Sequence, residues 1–273
     1  MRKVSSKRYK GNAFIYQKVP IVADFGRYAF ERPGYVEIDF VEHNGGSSAG
    51  VYAVTAVYTD LYSQWTVRAC GLGKNLRSVA EIDRIAHRRI PFRVIHYHPD
   101  NDKAILKVLF ERVRGKDSIH LSRSRPYKKN DNAHVEQKGG DKVRKLIGYW
   151  RFGSEEEVRI LNEIYWRADL LDNFFIACFK LKEKLKDSRG KTVKKVYEKA
   201  KTPYQRLIES EYLDEKEKER LKRIYESLDM VKLREEIGVL TDELINLGTR
   251  GDKMKVNFKD KKYDLTKDIF QRQ

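Results

Sequence analysis

Three β-type segments follow one another between residues 34 and 70, with only short turns between them. Residues 35–42 alternate apolar and polar side chains, and residues 51–59 and 64–70 are rich in β-branched and aromatic residues. Such residues favour strands, and connections this short join antiparallel neighbours. This stretch therefore predicts a three-stranded antiparallel meander, which restricts the chain to a fold built on a sheet.

Helix-like and strand-like segments alternate after the meander. Residues 75–89 and 102–113 carry apolar residues at helical spacing, whereas residues 92–97 and 118–121 are short strand-like runs. A strand–helix–strand crossover would place residues 92–97 parallel to the first strand of the meander. The sequence thus predicts an α/β fold with a mixed sheet.

The charge balance of the chain favours a polyanionic partner. The 273 residues include 57 Lys and Arg against 40 Asp and Glu, which gives a formal net charge of +17 and a pI near 9.6. A surplus of this size favours nucleic acid first. A membrane partner is not expected, because the sequence has no long apolar span and no signal peptide. Cys70 and Cys178 form no metal-binding pair, so reduced thiols in a cytoplasmic protein are expected.

A basic, proline-broken loop leads into a predicted helix that carries Glu136. Asn130 or Asp131 is suited to cap the start of this helix. Glu136 borders the apolar stripe of the helix, where a carboxylate needs a cation or a metal ion as partner unless it extends into water. The stripe consists of Val135, Val143, Leu146, Ile147 and Trp150.

Two further acids lie on or just after predicted strands. Asp39 is in the middle of the first strand, and Asp100 follows the strand at residues 92–97. Thirty-five residues separate Asp100 from Glu136. A cluster of carboxylates is what two-metal phosphodiester chemistry requires, since Mg²⁺ prefers oxygen ligands.

The three acids, their spacing and the residues around them closely resemble the integrase-type core of bacterial insertion-sequence transposases. These enzymes are the DDE (D,D-35-E) transposases of the retroviral-integrase-like superfamily. The segments Arg32–Gly46 and Arg123–Lys138 carry the resemblance, and Thr202–Ser210 resembles a C-terminal segment of the same family. The resemblance extends from about Arg32 to Leu247.

The resemblance implies a ribonuclease-H-like core with the order βββαβαβα and a mixed five-stranded sheet, followed by a basic, mainly helical C-terminal region. It implies a polynucleotidyl transferase that cleaves DNA 3′ ends and transfers strands during transposition or integration. Asp39, Asp100 and Glu136 would be the catalytic residues and the ligands of two Mg²⁺ or Mn²⁺ ions, with Asp39 bridging the two. The enzyme would act on element ends and target DNA as a homo-oligomer, in the cytoplasm of a prokaryote and associated with its nucleoid.

Basic and aromatic residues near the acids and in the C-terminal region are predicted to contact DNA. Residues 180–201 hold ten Lys and Arg against three acids, a surplus of +7 that suits the phosphate backbone, with a solvated charge run as the plain alternative. The predicted DNA-binding residues are Arg125, Tyr127, Lys128, Lys129, Lys138, Lys194 and Lys195.

The chain divides into three predicted parts. Residues 1–32 are expected to be a basic arm or linker, residues 33–176 the catalytic core, and residues 177–273 the C-terminal region. Within the last part, residues 214–247 are predicted to form long charged helix suited to a helical hairpin or to dimerisation. The resembling transposases usually carry a helix-turn-helix DNA-binding domain ahead of the core, for which residues 1–32 leave no room. The sequence is therefore expected to be a fragment, or a copy that lost this domain.

Departures from the family pattern keep alternatives open. Asn101-Asp102-Lys103 follows Asp100 where the family has Asn-Gly and a small residue, and Gly139-Gly140 falls where the family has larger residues. One alternative is a catalytically weak or inactive DNA-binding remnant, and another is a ribonuclease-H-like nuclease that only hydrolyses. An H-x-H-x-D pattern that begins at His96 also suggests a zinc or iron site, although no further ligand is identifiable.

Overall fold

A five-stranded mixed sheet forms the centre of the protein. The computed structural model describes residues 10–22, 25, 31–125, 139–186 and 192–249. The strand order is β3–β2–β1–β4–β5, in which β1, β2 and β3 are antiparallel neighbours and β4 and β5 run parallel to β1. These strands are β1 (Tyr35–His43), β2 (Ala53–Asp60), β3 (Thr66–Leu72), β4 (His96–Pro99) and β5 (His120–Leu121). This topology confirms the predicted ribonuclease-H-like α/β core.

Helices cover the sheet, and several of them begin at side-chain caps. Asn75 caps α2, Asp102 caps α3, and Ser154 and Glu157 form a capping box at α5. A π-helical segment, Gly139–Arg144, runs directly into α4. The helices are α1 (Lys10–Lys18), α2 (Leu76–Arg88), α3 (Lys103–Val113), α4 (Lys145–Ile147), α5 (Glu155–Phe174), α6 (Pro203–Glu209), α7 (Glu215–Ser227) and α8 (Met230–Thr249). None of the described helices has both the length and the apolar character needed to span a bilayer.

One apolar cluster joins the sheet to α2 and α3. Val36 and Ile38 of β1 belong to it together with Ile82 of α2 and with Ile105 and Leu109 of α3, and all five are buried. Burying an aliphatic side chain of this size stabilises the fold by roughly 1.5–3 kcal/mol. The alternation of β1 therefore fixes which face of the sheet these two helices cover.

A second cluster joins the sheet to the other helical layer. Val41 and Val57 belong to it together with Val143 of the π-helical segment, Ile164 of α5 and Leu240 of α8. Val41 follows Asp39 by two residues, and alternate residues of a strand share a face. The side chain of Asp39 is therefore on the sheet face that the π-helical segment covers.

α5 closes the outer edge of the sheet with its side chains. The Asn162 amide accepts a hydrogen bond from the Cys70 backbone N–H and donates one to its carbonyl, both at 2.9 Å. Asn173 makes the same two bonds with Thr66, at 2.9 and 2.7 Å. These outward-facing groups of β3 are the kind that would otherwise pair with another chain, and here they are bonded within the molecule.

The strand after the first crossover is shorter than predicted and lies further along the chain. The prediction was residues 92–97, whereas β4 is His96–Pro99. Tyr35, the first residue of β1, pairs with His96, so the parallel ladder has no partner for earlier residues. Phe92 and Val94 are buried without strand pairing, which explains why their apolar character suggested a strand.

The basic window at residues 180–201 contains a hairpin of two paired strands. Residues 181–186 (β6) and 192–197 (β7) pair as antiparallel strands. The described part of the C-terminal region is mainly helical, as predicted, but this hairpin was not predicted, because the many lysines obscured the β-branched Thr192, Val193 and Val196. The helices α6, α7 and α8 follow it.

Three further features differ from expectation. The long helix predicted at residues 214–247 is two helices, because the Asp229 carboxylate accepts hydrogen bonds from the N–H groups of Val231 and Lys232 and so caps a new start. The expected arm or linker contains α1, whose Ile15 is buried in a small cluster with α3. Trp150, expected on an apolar helix stripe, lies beyond α4 and is 53% exposed.

Candidate catalytic site

Asp39 of β1 and Asp100, the residue that follows β4, occupy neighbouring positions at the end of β4. In the parallel pairing of β1 with β4, Ile38 is opposite Pro99, and Asp39 and Asp100 are the next residues of the two chains. Both acids are half-buried. Neighbouring strands lie about 4.8 Å apart, so the register brings two predicted acids together although 60 residues separate them in sequence.

Glu136, the third predicted acid, lies outside the described residues. The described chain resumes at Gly139, three residues later, where the π-helical segment begins. That segment lies on the sheet face that Asp39 shares, since Val143 packs in the cluster of Val41. Arg144 also donates a hydrogen bond to the Glu42 carbonyl at 2.7 Å, which ties the segment to β1.

The Asp100 carboxylate is held by its own turn. The Asp102 backbone N–H donates a hydrogen bond to Asp100 Oδ1 at 2.9 Å. Burial raises the pKa of Asp100, while this hydrogen bond and the charge of Lys74 act in the opposite direction. Lys74 Nζ lies 3.3 Å from Asp102 Oδ2 and 3.8 Å from Glu42 Oε1, so a lysine bridges the ends of β1 and β4.

The two departures from the family pattern each have a structural account. Asp102 is the N-cap of α3, where its Oδ1 accepts hydrogen bonds from the N–H groups of Ala104 and Ile105 at 2.9 and 3.1 Å. Gly139 and Gly140 open the π-helical segment. Glycine destabilises a regular α-helix by roughly 1 kcal/mol relative to alanine, and π-helical turns occur mostly as local irregularities within helices.

A buried arginine braces the turn that carries Asp100. Arg123 Nη1 donates to Asn101 Oδ1 at 2.6 Å, and its Nε and Nη2 donate to the carbonyls of Val19 and Tyr16 at 3.0 and 3.1 Å. Asn101 Nδ2 donates in turn to the Ser124 carbonyl at 2.8 Å. Arg123 therefore connects the turn after β4 to the N-terminal segment at α1. No local sequence pattern marks this role of Arg123, since its hydrogen-bond partners lie about 20 and 100 residues away along the chain.

The predicted DNA-binding residues are only partly within the described chain. Arg125 is exposed just beyond β5, and Lys194 is exposed on β7. Lys195, also on β7, is opposite Lys184 in the hairpin register. Tyr127, Lys128, Lys129 and Lys138 lie outside the described residues.

The two histidines of the H-x-H-x-D pattern meet a serine hydroxyl. His96 Nε2 and His98 Nδ1 each lie 2.8 Å from Ser122 Oγ. Phe25 stacks on the His98 ring with the ring centres 4.2 Å apart, and burial lowers the pKa of His96 to about 4. The two imidazoles thus share one hydroxyl and pack against an aromatic ring. These contacts form a hydrogen-bonded cluster.

The donor chemistry of the acids suits a hard divalent cation. Asp39 and Asp100 offer carboxylate oxygens, which Mg²⁺ and Mn²⁺ prefer over softer ligands. Within the described ranges, no group of three His, Cys, Asp or Glu side chains is arranged to hold a metal ion. Two of the three predicted ligands are in those ranges, and their carboxylate oxygens are of the type that the expected ion prefers.

Comparisons with known proteins show a curated relative and solved structures of low similarity. The chain is 38% identical over 179 residues to the uncharacterized protein y4rM of Sinorhizobium fredii (strain NBRC 101917 / NGR234); the match covers 62% of the chain and 48% of that protein, so the chain spans about half of its length. No protein-family model matches the chain. The catalytic core domain of BIV integrase is 16% identical, with a TM-score of 0.36 over 62% of this chain and 90% of that one. A simian T-cell lymphotropic virus intasome in complex with the PP2A regulatory subunit B56 gamma is also 16% identical, with a TM-score of 0.35 over 57% of this chain and 51% of that one.

Proposed function

We propose that the protein is a DDE transposase or integrase that cleaves DNA 3′ ends and transfers strands. The observation that carries the proposal is the pairing of β1 with β4, which makes Asp39 and Asp100 neighbours at the end of β4. The sequence places Glu136 three residues before the segment that covers the face of Asp39. This arrangement supports the resemblance to bacterial insertion-sequence transposases.

Asp39, Asp100 and Glu136 are the proposed ligands of two Mg²⁺ or Mn²⁺ ions. When bound, such ions activate an attacking hydroxyl and stabilise the leaving 3′ oxygen. The residues of the chain supply position and charge. The backbone N–H of Asp102 orients the Asp100 carboxylate, and Arg123 fixes the turn through Asn101.

The DNA partner is proposed on the charge of the surfaces near the acids and on the hairpin. Arg125 is exposed at the point where the described chain leaves β5, and the segment that follows contains the predicted contacts Tyr127, Lys128 and Lys129. The exposed Lys194 lies on β7, within the window whose surplus is +7. Cations of this kind bind the phosphate backbone and position the DNA.

A strand-transfer assay tests the proposal. Purified protein is mixed with DNA that carries the ends of the cognate element, in Mg²⁺ or Mn²⁺, and joined products are separated by gel electrophoresis. The variants Asp100→Asn and Glu136→Gln each remove one proposed metal ligand, and we expect joined product to fall at least about a hundredfold, because catalysis depends on correctly placed groups. Glu111→Gln, an exposed acid on α3, is the matched control and should retain full activity.

The products separate the alternatives. Joined product that is lost in both acid variants supports the transposase. Cleaved but unjoined DNA supports a nuclease that only hydrolyses. DNA binding without any metal-dependent product supports an inactive remnant, and full activity in Glu136→Gln would remove the third acid from the mechanism.

A further inference from the structure

A groove of about 860 Å³ runs along the outer edge of the sheet. The edge strand β3 forms its floor at Cys70, Gly71 and Leu72, and α2 and α5 form its walls. The side chains that line it include six arginines and three glutamates, and acids outside the lining pair with Arg89, Arg159 and Arg167. The groove is distinct from the site of Asp39 and Asp100, which lies on the other side of β2.

The α2 wall presents a stripe of charges. Arg77, Glu81, Arg84 and Arg88 recur at intervals of four, three and four residues, which places them on one face of the helix. Arg84 is paired with Glu81. Arg77 and Arg88 are exposed, and neither forms a hydrogen bond or an ion pair with another residue in the described ranges. Their guanidinium groups therefore keep their donors for a ligand.

The α5 wall adds an aromatic surface and further arginines. Trp166 is half-buried in the groove, and the Arg89 guanidinium lies 4.8 Å from the centre of its ring. Arg159 and Arg167 line the same wall and are paired with Glu156 and Glu163. Since these arginines already have acidic partners, Arg77 and Arg88 are the arginines of the groove that form no ion pair in the described ranges, although the charge of Arg88 helps to lower the pKa of Glu81.

We propose that this groove binds the backbone of a nucleic acid strand. At a rise of 1.5 Å per residue, Arg77 and Arg88 lie about 16 Å apart along α2. One DNA strand presents about five phosphates over that length, and guanidinium groups bind phosphate oxygens in a bidentate manner. A second copy of this chain is a poor occupant, because both copies carry a net charge of +17.

The position of the groove links it to the candidate catalytic site. Its lining reaches Leu72 and Asn75, which flank Lys74 closely in sequence, and Lys74 contacts Asp102 in the turn after Asp100. A strand in the groove would leave it at the end of the sheet where β4 ends. The choice of nucleic acid as the polyanion rests on the proposed function, whereas the existence of an anion-binding groove does not.

Salt-dependent DNA binding tests the inference. The affinity of the full chain for a fluorescent DNA duplex and for a single strand is measured by anisotropy, in EDTA, between about 50 and 200 mM NaCl. The variant Arg77→Gln/Arg88→Gln should lose two phosphate contacts, which lowers the salt slope by about 1.8. The loss of affinity over this salt range should then be about tenfold smaller than for the wild type.

Two controls make the result specific. Lys222→Gln/Arg223→Gln removes the same charge from exposed positions of α7 that do not line the groove, and it should keep the wild-type salt slope. Arg77→Lys/Arg88→Lys should restore most of the slope. An equal slope change in the α7 variant and the groove variant would overturn the proposal.

Other occupants are outcomes of the same experiment. If the groove variant loses binding to poly-glutamate but not to DNA, the groove is a site for an acidic protein segment and the proposal is wrong. If the groove variant changes only the sedimentation of the protein and not its DNA binding, the groove is an interface between copies and the proposal is wrong. Because EDTA excludes metal-dependent chemistry, failure of the strand-transfer assay leaves this result unaffected, and failure here leaves that assay unaffected.

Discussion

Burial determines the protonation of His43, a residue at the end of β1. Its ring is fully buried, and its Nε2 lies 2.8 Å from Thr55 Oγ1 and 3.2 Å from the Tyr165 hydroxyl oxygen. Burial and, to a smaller extent, the charge of Arg144 together lower the pKa of His43 to about 3. The ring is therefore neutral in the folded protein well below the pH at which a free histidine gains a proton.

Acidification should destabilise the protein through this residue. Below pH 6.5 the unfolded chain binds a proton at His43 that the folded chain does not, so the free energy of unfolding falls as the pH falls. Between pH 7 and pH 5 the contribution is about 2 kcal/mol. Urea unfolding at both pH values should show that the wild type loses about this much more than His43→Gln. Equal losses would mean that His43 is protonated in the folded protein.

Individual residues of the candidate catalytic site could be predicted from the sequence only where a local sequence pattern marks them. Asp39 and Asp100 follow from strand periodicity and from the spacing of a resembling family, and the register brings them together. No local sequence pattern marks Lys74 and Arg123. Their contacts, with Asp102 and with α1, form only when the chain has folded. Glu136 stays a prediction, outside the described residues.

At the scale of elements, side chains of α5 bond to the outward backbone groups of the edge strand β3, where a further strand would otherwise pair. Asn173 holds both outward backbone groups of Thr66 while buried in the contact between helix and sheet. Removing the amide leaves a buried N–H and a buried carbonyl without partners. Each such group costs roughly 1–3 kcal/mol.

We expect Asn173→Ala to lower the free energy of unfolding by about 2–4 kcal/mol and to speed hydrogen exchange at the Thr66 amide. Chemical denaturation and exchange measured by NMR check the two effects. Gln17→Ala, which removes an exposed amide from α1, should change stability by less than about 0.5 kcal/mol. A loss in Asn173→Ala as small as in this control would show that water replaces the amide at the edge.

Elements with strong local signals matched their predicted positions. The predicted helices at residues 75–89 and 102–113 correspond to α2 and α3, because caps and apolar stripes are local properties. The start of β4 was not predictable from its own residues, since the partner strand determines where the ladder begins. The pairing of β6 with β7 was not predicted, because lysines outnumber the residues that favour strands in these two segments.

At the scale of the whole molecule, the last described helix is part of the same apolar interior as the sheet. Ile237, Leu240 and Leu244 of α8 belong to the cluster that contains Val41 and Val57. Leu244 is only 1% exposed. The proposed boundary after residue 176 therefore separates segments that are packed against each other.

Leu244→Ala should destabilise the sheet as well as α8. A buried leucine replaced by alanine costs about 2–5 kcal/mol, and a single cooperative unit shares that loss. Hydrogen exchange of β1 and β2 amides, followed by mass spectrometry, should accelerate along with that of α8. Val239→Ala, at a position 68% exposed, is the control and should leave both unchanged. Acceleration confined to α8 would instead indicate that the C-terminal helices unfold independently of the sheet.

The late arrival of α8 has a consequence for how the protein is made. Seventy-five residues separate the end of α5 from the end of α8. At 5–20 residues per second, a ribosome needs about 4–15 s to add them, and during that time the apolar side of α5 lacks its cover. The nascent chain is then open to chaperones and to self-association. Expression conditions that slow translation over this stretch should therefore increase aggregation, even though the finished protein is unchanged.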